Sequence, residues 1–370
     1  MIVYITRKFP PSIGGMQRFN QKLTENLAGK IPFRLIAWGR SQRLMPCFLV
    51  YAALKTLRLG MRGEVTAVYL SDGLMAPLGV VLKKLLGVPV AVNIHGRDIA
   101  FAFPGYLTVV PWALRRLDRV ICVSRSLREI CRGYGVPEKI LEVIPNGVDV
   151  ADFAWTREER PDRVLGRDFS GKTVLVTVGR LVPKKGVDRF VRDILPAIVR
   201  AEPAVVYLVA GDGPLREEIV RTARAAGVEE NLVMLGDLPM KGDLLKAAYC
   251  AADIFVMPNV RVSGDIEGFG IVAIEGGAAG LPVVASKLQG IREAVVEGEN
   301  GDLLPWDDPG AFVDALLSLI RDPARRRRAG DRARAFVAER YGWDSIAGRY
   351  ASVFRRLVDA GASTRRPVSG

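Results

Sequence analysis

The chain has 370 residues, 49% hydrophobic and 25% charged, the makeup of a soluble protein that is long for one core and comfortable as two domains. One histidine and four cysteines (Cys47, Cys122, Cys131, Cys250) without Cys-x-x-Cys or zinc-finger spacing leave no His/Cys metal site to propose and predict reduced thiols. The net charge of +13 lies mostly in the first half, with +11 inside residues 1–165.

The chain opens on Ile2 to Thr6, which reads as a strand rather than a cleavable leader, because no basic segment precedes a long apolar core. A second strand is expected from Phe33 to Trp38. Between Arg40 and Arg62 five basic residues and no acid are interleaved with Leu44, Phe48, Val50, Tyr51 and Leu54. Such a stretch suits docking on an anionic membrane surface; equally, its apolar residues could pack into the domain with the bases on the rim. Strands follow at 67–70, 88–94, 119–123 and 141–144. The segment from Phe101 to Trp112, followed by Arg115 and Arg116, is a second apolar and basic candidate. No nucleic-acid motif or stacking platform accompanies the charge.

Residues 152–171, charged and broken by Pro and Gly, read as an interdomain linker. Beyond them strands are expected at 173–178, 205–210, 232–235, 254–257 and 282–285, again alternating with helix-length amphipathic segments. This is the α/β pattern of two open parallel sheets covered on both faces. The run Arg325–Arg328 reads as a solvated helix face. No run of about eighteen uncharged apolar residues occurs, so no spanning helix is expected.

Two loops of the second half carry chemistry. After the strand at 173–178 comes a glycine turn, Gly179, followed by Arg180 and Lys185, a planar fork and a mobile point charge of the right sign for a diphosphate. Farther on, Glu267 and Glu275 stand eight residues apart around Gly268 and Gly270. The apolar run after Gly270 predicts a helix whose first N–H groups suit phosphate oxygens, while a carboxylate suits vicinal sugar hydroxyls. Together the two loops point to a sugar nucleotide.

Gly179-Arg180-x4-Lys185-Gly186, then Val209 to Pro214 (Val-Ala-Gly-Asp-Gly-Pro), then Glu267-x7-Glu275, in this order resemble the retaining glycosyltransferases of family 4, which have the GT-B fold. Gly14-Gly15, Asn93 to Asp98 (Asn-Ile-His-Gly-Arg-Asp), Val123-Ser124 and Val143 to Asp149 agree, so the resemblance runs from about residue 1 to about 350. It implies two Rossmann-like parallel-sheet domains facing across a cleft. The acceptor-binding domain would span 1–160 and the nucleotide-sugar-binding domain 170–342, with a C-terminal helix near 343–360 crossing back to the first.

The resemblance further implies that Arg180 and Lys185 hold the diphosphate, that Glu275 binds the ribose, and that backbone at Phe269, Gly270, Ile271 and Val272 contacts phosphates and sugar. Glu267 would accept from sugar hydroxyls, and the base would sit near Leu238. Gly14 and Gly15 would offer N–H groups to the distal phosphate. His95 would face the transferred sugar, with Asp98 nearby. No metal cofactor is expected, since Asp265-Ile-Glu267 is the nearest approach to an Asp-x-Asp and belongs to the sugar loop. The implied activity is retaining transfer of a hexose from GDP-mannose or a UDP-sugar to a lipid-linked or glycan acceptor of the cell envelope, at the cytoplasmic side. Two other readings remain open at this point. A GT-B epimerase or synthase would turn over donor without acceptor, and a basic peripheral protein would bind membrane or nucleic acid with its donor site vestigial.

Overall fold

The computed structural model describes residues 1–12, 14–39, 42–96, 98–99, 106–153, 164–236, 243–263, 269–288 and 290–365. These form two compact units, Met1–Gly147 with the segment from Trp343 onward, and Val148–Gly342.

The first unit runs β1 (Ile2–Thr6), α1 (Gly15–Leu27), β2 (Phe33–Ala37), α2 (Met45–Met61), β3 (Ala67–Leu70), α3 (Ala76–Leu86), β4 (Val90–Ile94), α4 (Tyr106–Leu114), β5 (Arg119–Cys122), α5 (Arg125–Gly133) and β6 (Leu141–Val143). All pairings are parallel, in the order β2-β1-β3-β4-β5-β6. β1, β3 and β4 are buried at every position, as expected of apolar strands covered on both faces. β4 begins at Val90 rather than Val88 because Pro89 has no N–H to give the ladder; its carbonyl still accepts from Val68 N at 3.0 Å.

The C-terminal helix (Trp343–Arg365) belongs to this unit. Its Trp343, Ile346, Tyr350, Phe354 and Leu357 share one core with Tyr4, Phe19, Leu23 and Tyr69. The spacing of those five residues gives the helix a single apolar stripe, and Tyr350 fixes its register by donating to Asn93 Oδ1 at 2.9 Å.

The second unit runs β7 (Thr173–Val178), α6 (Leu195–Ala201, entered through a π-helical turn at Phe190–Ile194), β8 (Val205–Ala210), α7 (Arg216–Ala225), β9 (Leu232–Gly236), α8 (Asp243–Cys250), β10 (Ile254–Met257), α9 (Ile271–Ala278), β11 (Val283–Ser286), α10 (Ile291–Ala294), β12 (Gly301–Leu304), α11 (Pro309–Arg321) and α12 (Pro323–Tyr341). Its sheet is also parallel, ordered β12-β11-β10-β7-β8-β9. Two doubly wound sheets thus make a GT-B-type α/β protein. The division falls at Gly147, ahead of the charged segment: Val148 N donates to Tyr341 O at 2.8 Å, and the Phe153 ring packs on Tyr249 at 5.3 Å. Of that segment, residues 154–163 lie outside the described residues.

Candidate functional site

In an open parallel sheet, ligands bind beyond the carboxyl ends of the strands where the strand order reverses. In the second unit that place lies between β7 and β10. Gly179 N donates to Ala210 O and Leu181 N to Asp212 O, both at 2.9 Å, which ties the loop after β7 to the end of β8. The loop then leaves Arg180 exposed and turns Lys185 back so that its Cε lies 3.4 Å from where a Cβ on Gly179 would stand. Both cations therefore sit at the carboxyl end of β7.

The loop continues onto β10. Val260 N donates to Lys184 O at 3.0 Å, and Gly186, at φ +64°, lies against the Pro258 carbonyl with no room for a side chain. Only glycine combines that backbone conformation with so close an approach. α9 starts beside the same strand end: a Cβ on Gly270, at φ +75°, would stand 3.4 Å from Met257 Cε. The cation loop and the start of α9 thus rest on consecutive residues, Met257 and Pro258. Among the described residues no side chain caps α9 at Gly270, so the N–H groups of its first turn, Ile271 and Val272 among them, suit an anion.

Phe269 is buried, its ring 5.7 Å from Tyr341, and contributes backbone rather than side chain to this edge. Glu275 is 7% exposed, and its Oε2 accepts from Tyr249 OH at 2.9 Å. Glu267 and Leu238 lie outside the described residues.

In the first unit the strand order reverses between β1 and β3. Gly14 precedes α1 without a side-chain cap and Gly15 is its first residue. His95 follows β4, its Nε2 lying 2.9 Å from Asn93 Nδ2 and 3.1 Å from Ser71 O, with the Phe19 ring edge-on at 4.8 Å. Burial pushes the imidazole below its ordinary pKa, while the Asp98 and Asp72 carboxylates pull the other way. Asp98 Oδ1 accepts from His95 N at 2.9 Å and Gly96 N at 2.7 Å, and Oδ2 from Gly73 N at 3.0 Å. This carboxylate pins the His95 loop to the loop after β3.

Several groups at these edges escaped the sequence reading. Asp72 is fully buried and pairs with Arg7 at 2.8 Å while capping Leu74 N; burial raises its carboxyl pKa against the pull of Arg7. Asp followed by Gly-Leu was its only local signal. Arg216, at the start of α7, buries Nη1 without a hydrogen-bond partner among the described residues, 3.5 Å from the Cβ position of Gly236 at the end of β9. Among the described residues no group of three or more His, Cys, Asp or Glu is arranged to hold a metal.

Family models match on both units: Glycosyltransferase Family 4 over residues 13–152 and Glycosyl transferases group 1 over 172–322. The chain is 28% identical over 379 residues to the GDP-mannose-dependent alpha-(1-6)-phosphatidylinositol monomannoside mannosyltransferase of Mycolicibacterium smegmatis, covering 95% of this chain and 97% of that one. It is 30% identical over 317 residues to the D-inositol 3-phosphate glycosyltransferase of Segniliparus rotundus, covering 80% and 68%. Among solved structures, Anabaena HepE in complex with UDP superposes with a TM-score of 0.76 at 19% identity, covering 96% of this chain and 99% of that one. Sucrose-phosphate synthase of Thermosynechococcus elongatus gives 0.77 at 20% identity, covering 97% and 100%. With both halves matched by family models and the cation loop and helix start seated on one strand end, the chain is a GT-B glycosyltransferase of family 4.

Proposed function

We propose that the chain moves a hexose from a nucleoside-diphosphate sugar, with GDP-mannose the favoured donor, to a glycolipid acceptor, retaining the anomeric configuration. What supports this is that the loop carrying Arg180 and Lys185 and the start of α9 both lie at the end of β10, beside Pro258 and Met257. Fixed cations and helix N–H groups there would stabilise the negative charge that builds on the departing nucleoside diphosphate more than they stabilise the bound donor. In this reading they do so without a metal ion. The choice of mannose and of a glycolipid follows the similarity to the GDP-mannose-dependent phosphatidylinositol monomannoside mannosyltransferase of Mycolicibacterium smegmatis.

Glu275, steadied by Tyr249, holds the ribose; Gly14 and Gly15 offer the α1 N-terminus to the distal phosphate; His95 faces the transferred sugar; Asp98 sets the loop that carries it. With the carboxylates assigned to hydroxyls and loop, attack occurs on the face the leaving group departs from, and a donor phosphate oxygen takes the acceptor proton.

No helix among the described residues is long and apolar enough to cross a membrane, and we assign α2 to docking on an anionic bilayer. α2 has two apolar faces. Phe48, Ala52 and Leu59 are buried, whereas Val50, Tyr51, Leu54 and Met61 are 60%, 52%, 63% and 81% exposed beside Lys55 and Arg58.

The test is incubation with labelled GDP-mannose, UDP-glucose and UDP-N-acetylglucosamine, each with and without membrane lipid. Label moving into lipid is expected, and its loss in Lys185→Ala ties it to this site. Turnover without acceptor would instead indicate an epimerase, and absence of transfer from every donor would overturn the proposal.

A further inference from the structure

The first unit contains a cavity of about 810 Å3 that lies away from the edge bearing His95. It opens where β4, β5 and β6 begin, between the end of α3, the end of α4 and the C-terminal helix. His95 follows the other end of β4, a five-residue strand, so about 16 Å of strand separates the two edges.

The cavity is lined by Lys83, Arg115, Arg116, Arg119 and Lys139, with Asp118 its only acid among the described residues. Part of that charge is already used. Lys83 Nζ donates to Asp118 Oδ1 and to Arg116 O, both at 2.9 Å, and the other Asp118 oxygen accepts from Val90 N. Arg116 donates to Trp112 O and lies over its ring, 4.5 Å from the centroid. These two side chains answer the partial negative charge of helix ends. Arg115, Arg119 and Lys139 have no carboxylate partner among the described residues, although Arg119 Nη1 reaches the Asp118 carbonyl at 2.8 Å. Three cations from separate positions line one concavity whose sole carboxylate among the described residues is spent, an arrangement that suits a multi-oxygen anion.

We propose that this cavity is a binding site for a phosphate ester, with the two guanidinium forks and the Lys139 ammonium holding the phosphate oxygens and the remaining volume taking the organic group. The volume is that of a small-molecule pocket rather than of a bare ion. The site is separate from donor binding and does not depend on the proposed sugar transfer. The ester can come from a soluble metabolite or from a lipid headgroup, and the experiment separates the two.

Glycerol 3-phosphate is titrated by calorimetry, with glycerol as the unphosphorylated control, and phosphatidic-acid vesicles are tested by flotation. Both are run on wild type, on Arg115→Ser/Arg119→Ser/Lys139→Ser, and on Leu54→Glu. Wild type is expected to bind at least one phosphate ligand, and the triple variant to lose about tenfold or more in affinity for it. Lys139→Glu alone, at an exposed position, should weaken it in the same direction and guards against misfolding of the triple variant. Binding of glycerol 3-phosphate assigns a metabolite; binding of vesicles alone assigns a headgroup only where it is lost in the triple variant and kept in Leu54→Glu. If neither binds, or if the triple variant binds as wild type does, the proposal fails. Vesicle binding lost in Leu54→Glu but kept in the triple variant sinks the cavity site while leaving membrane docking by α2 intact.

Discussion

The α-carbon of Gly186 rests against the carbonyl oxygen of Pro258, and this contact joins the loop after β7 to the end of β10. A methyl group at Gly186 must overlap a backbone oxygen at a φ of +64°. Gly186→Ala should therefore destabilise the second unit by at least about 1–2 kcal/mol from the left-handed conformation alone. Each kcal/mol lowers the melting temperature by about 2–4 °C at this size. Calorimetric melts with and without nucleoside diphosphate should show a lower apo transition and a smaller ligand-induced rise. An unchanged melt would mean the two loops are not locked together.

Lys185→Ala removes a charge from the carboxyl end of β7 without touching the core, since the side chain lies over Gly179. If the ammonium stabilises the departing diphosphate, kcat should fall by about 100- to 1,000-fold with little change in melting temperature. Lys185→Arg should restore part of it. A rise in KM with kcat preserved would show that the residue only holds the donor.

His95 gives a pH test of its surroundings. Its folded pKa lies below the ordinary 6.5 because burial disfavours the imidazolium. The unfolded chain thus binds the extra proton first as pH falls, so the contribution is fully present above about pH 6.5 and is lost below it, down to the depressed folded value. Urea denaturation from pH 8 to pH 5 should show wild type losing more stability than His95→Gln. Equal slopes would place the histidine in a solvated setting.

Arg216 carries a buried donor beside Gly236 with no partner among the described residues. Leaving such a group unsatisfied costs about 1–3 kcal/mol, so Arg216→Met should leave the apo protein as stable as wild type or more so. The rise in melting temperature on adding nucleoside diphosphate should shrink. A destabilised apo variant with an undiminished rise would show that the guanidinium serves the fold instead of the ligand.

Much of this architecture was legible in the residues themselves. Buried parallel strands are nearly uniform apolar runs, so β1, β3, β7, β8 and β10 stood out, and the glycine after β7 marked where that strand ends. β12 escaped because Gly-Asp-Leu-Leu is short, half-buried at every position and carries an acid at an edge; nothing in four such residues separates strand from turn. The division at Gly147 escaped because it depends on a backbone bond from Val148 to Tyr341, nearly two hundred positions away in the chain. The anchoring of Asp98 by three backbone N–H groups was likewise hidden, since a carboxylate beside a histidine reads as chemistry until its partners are seen.

The C-terminal helix has a consequence for how the molecule is made. Trp343, Tyr350 and Phe354 fill a core whose other wall is built from Tyr4, Phe19 and Tyr69, yet the whole of the second unit is translated between them. The first unit must wait with an open apolar wall while the second is synthesised, and only the segment that begins at Trp343 can close it. A released chain truncated after Gly342 should be protease-resistant in the later-made half and sensitive in the earlier one.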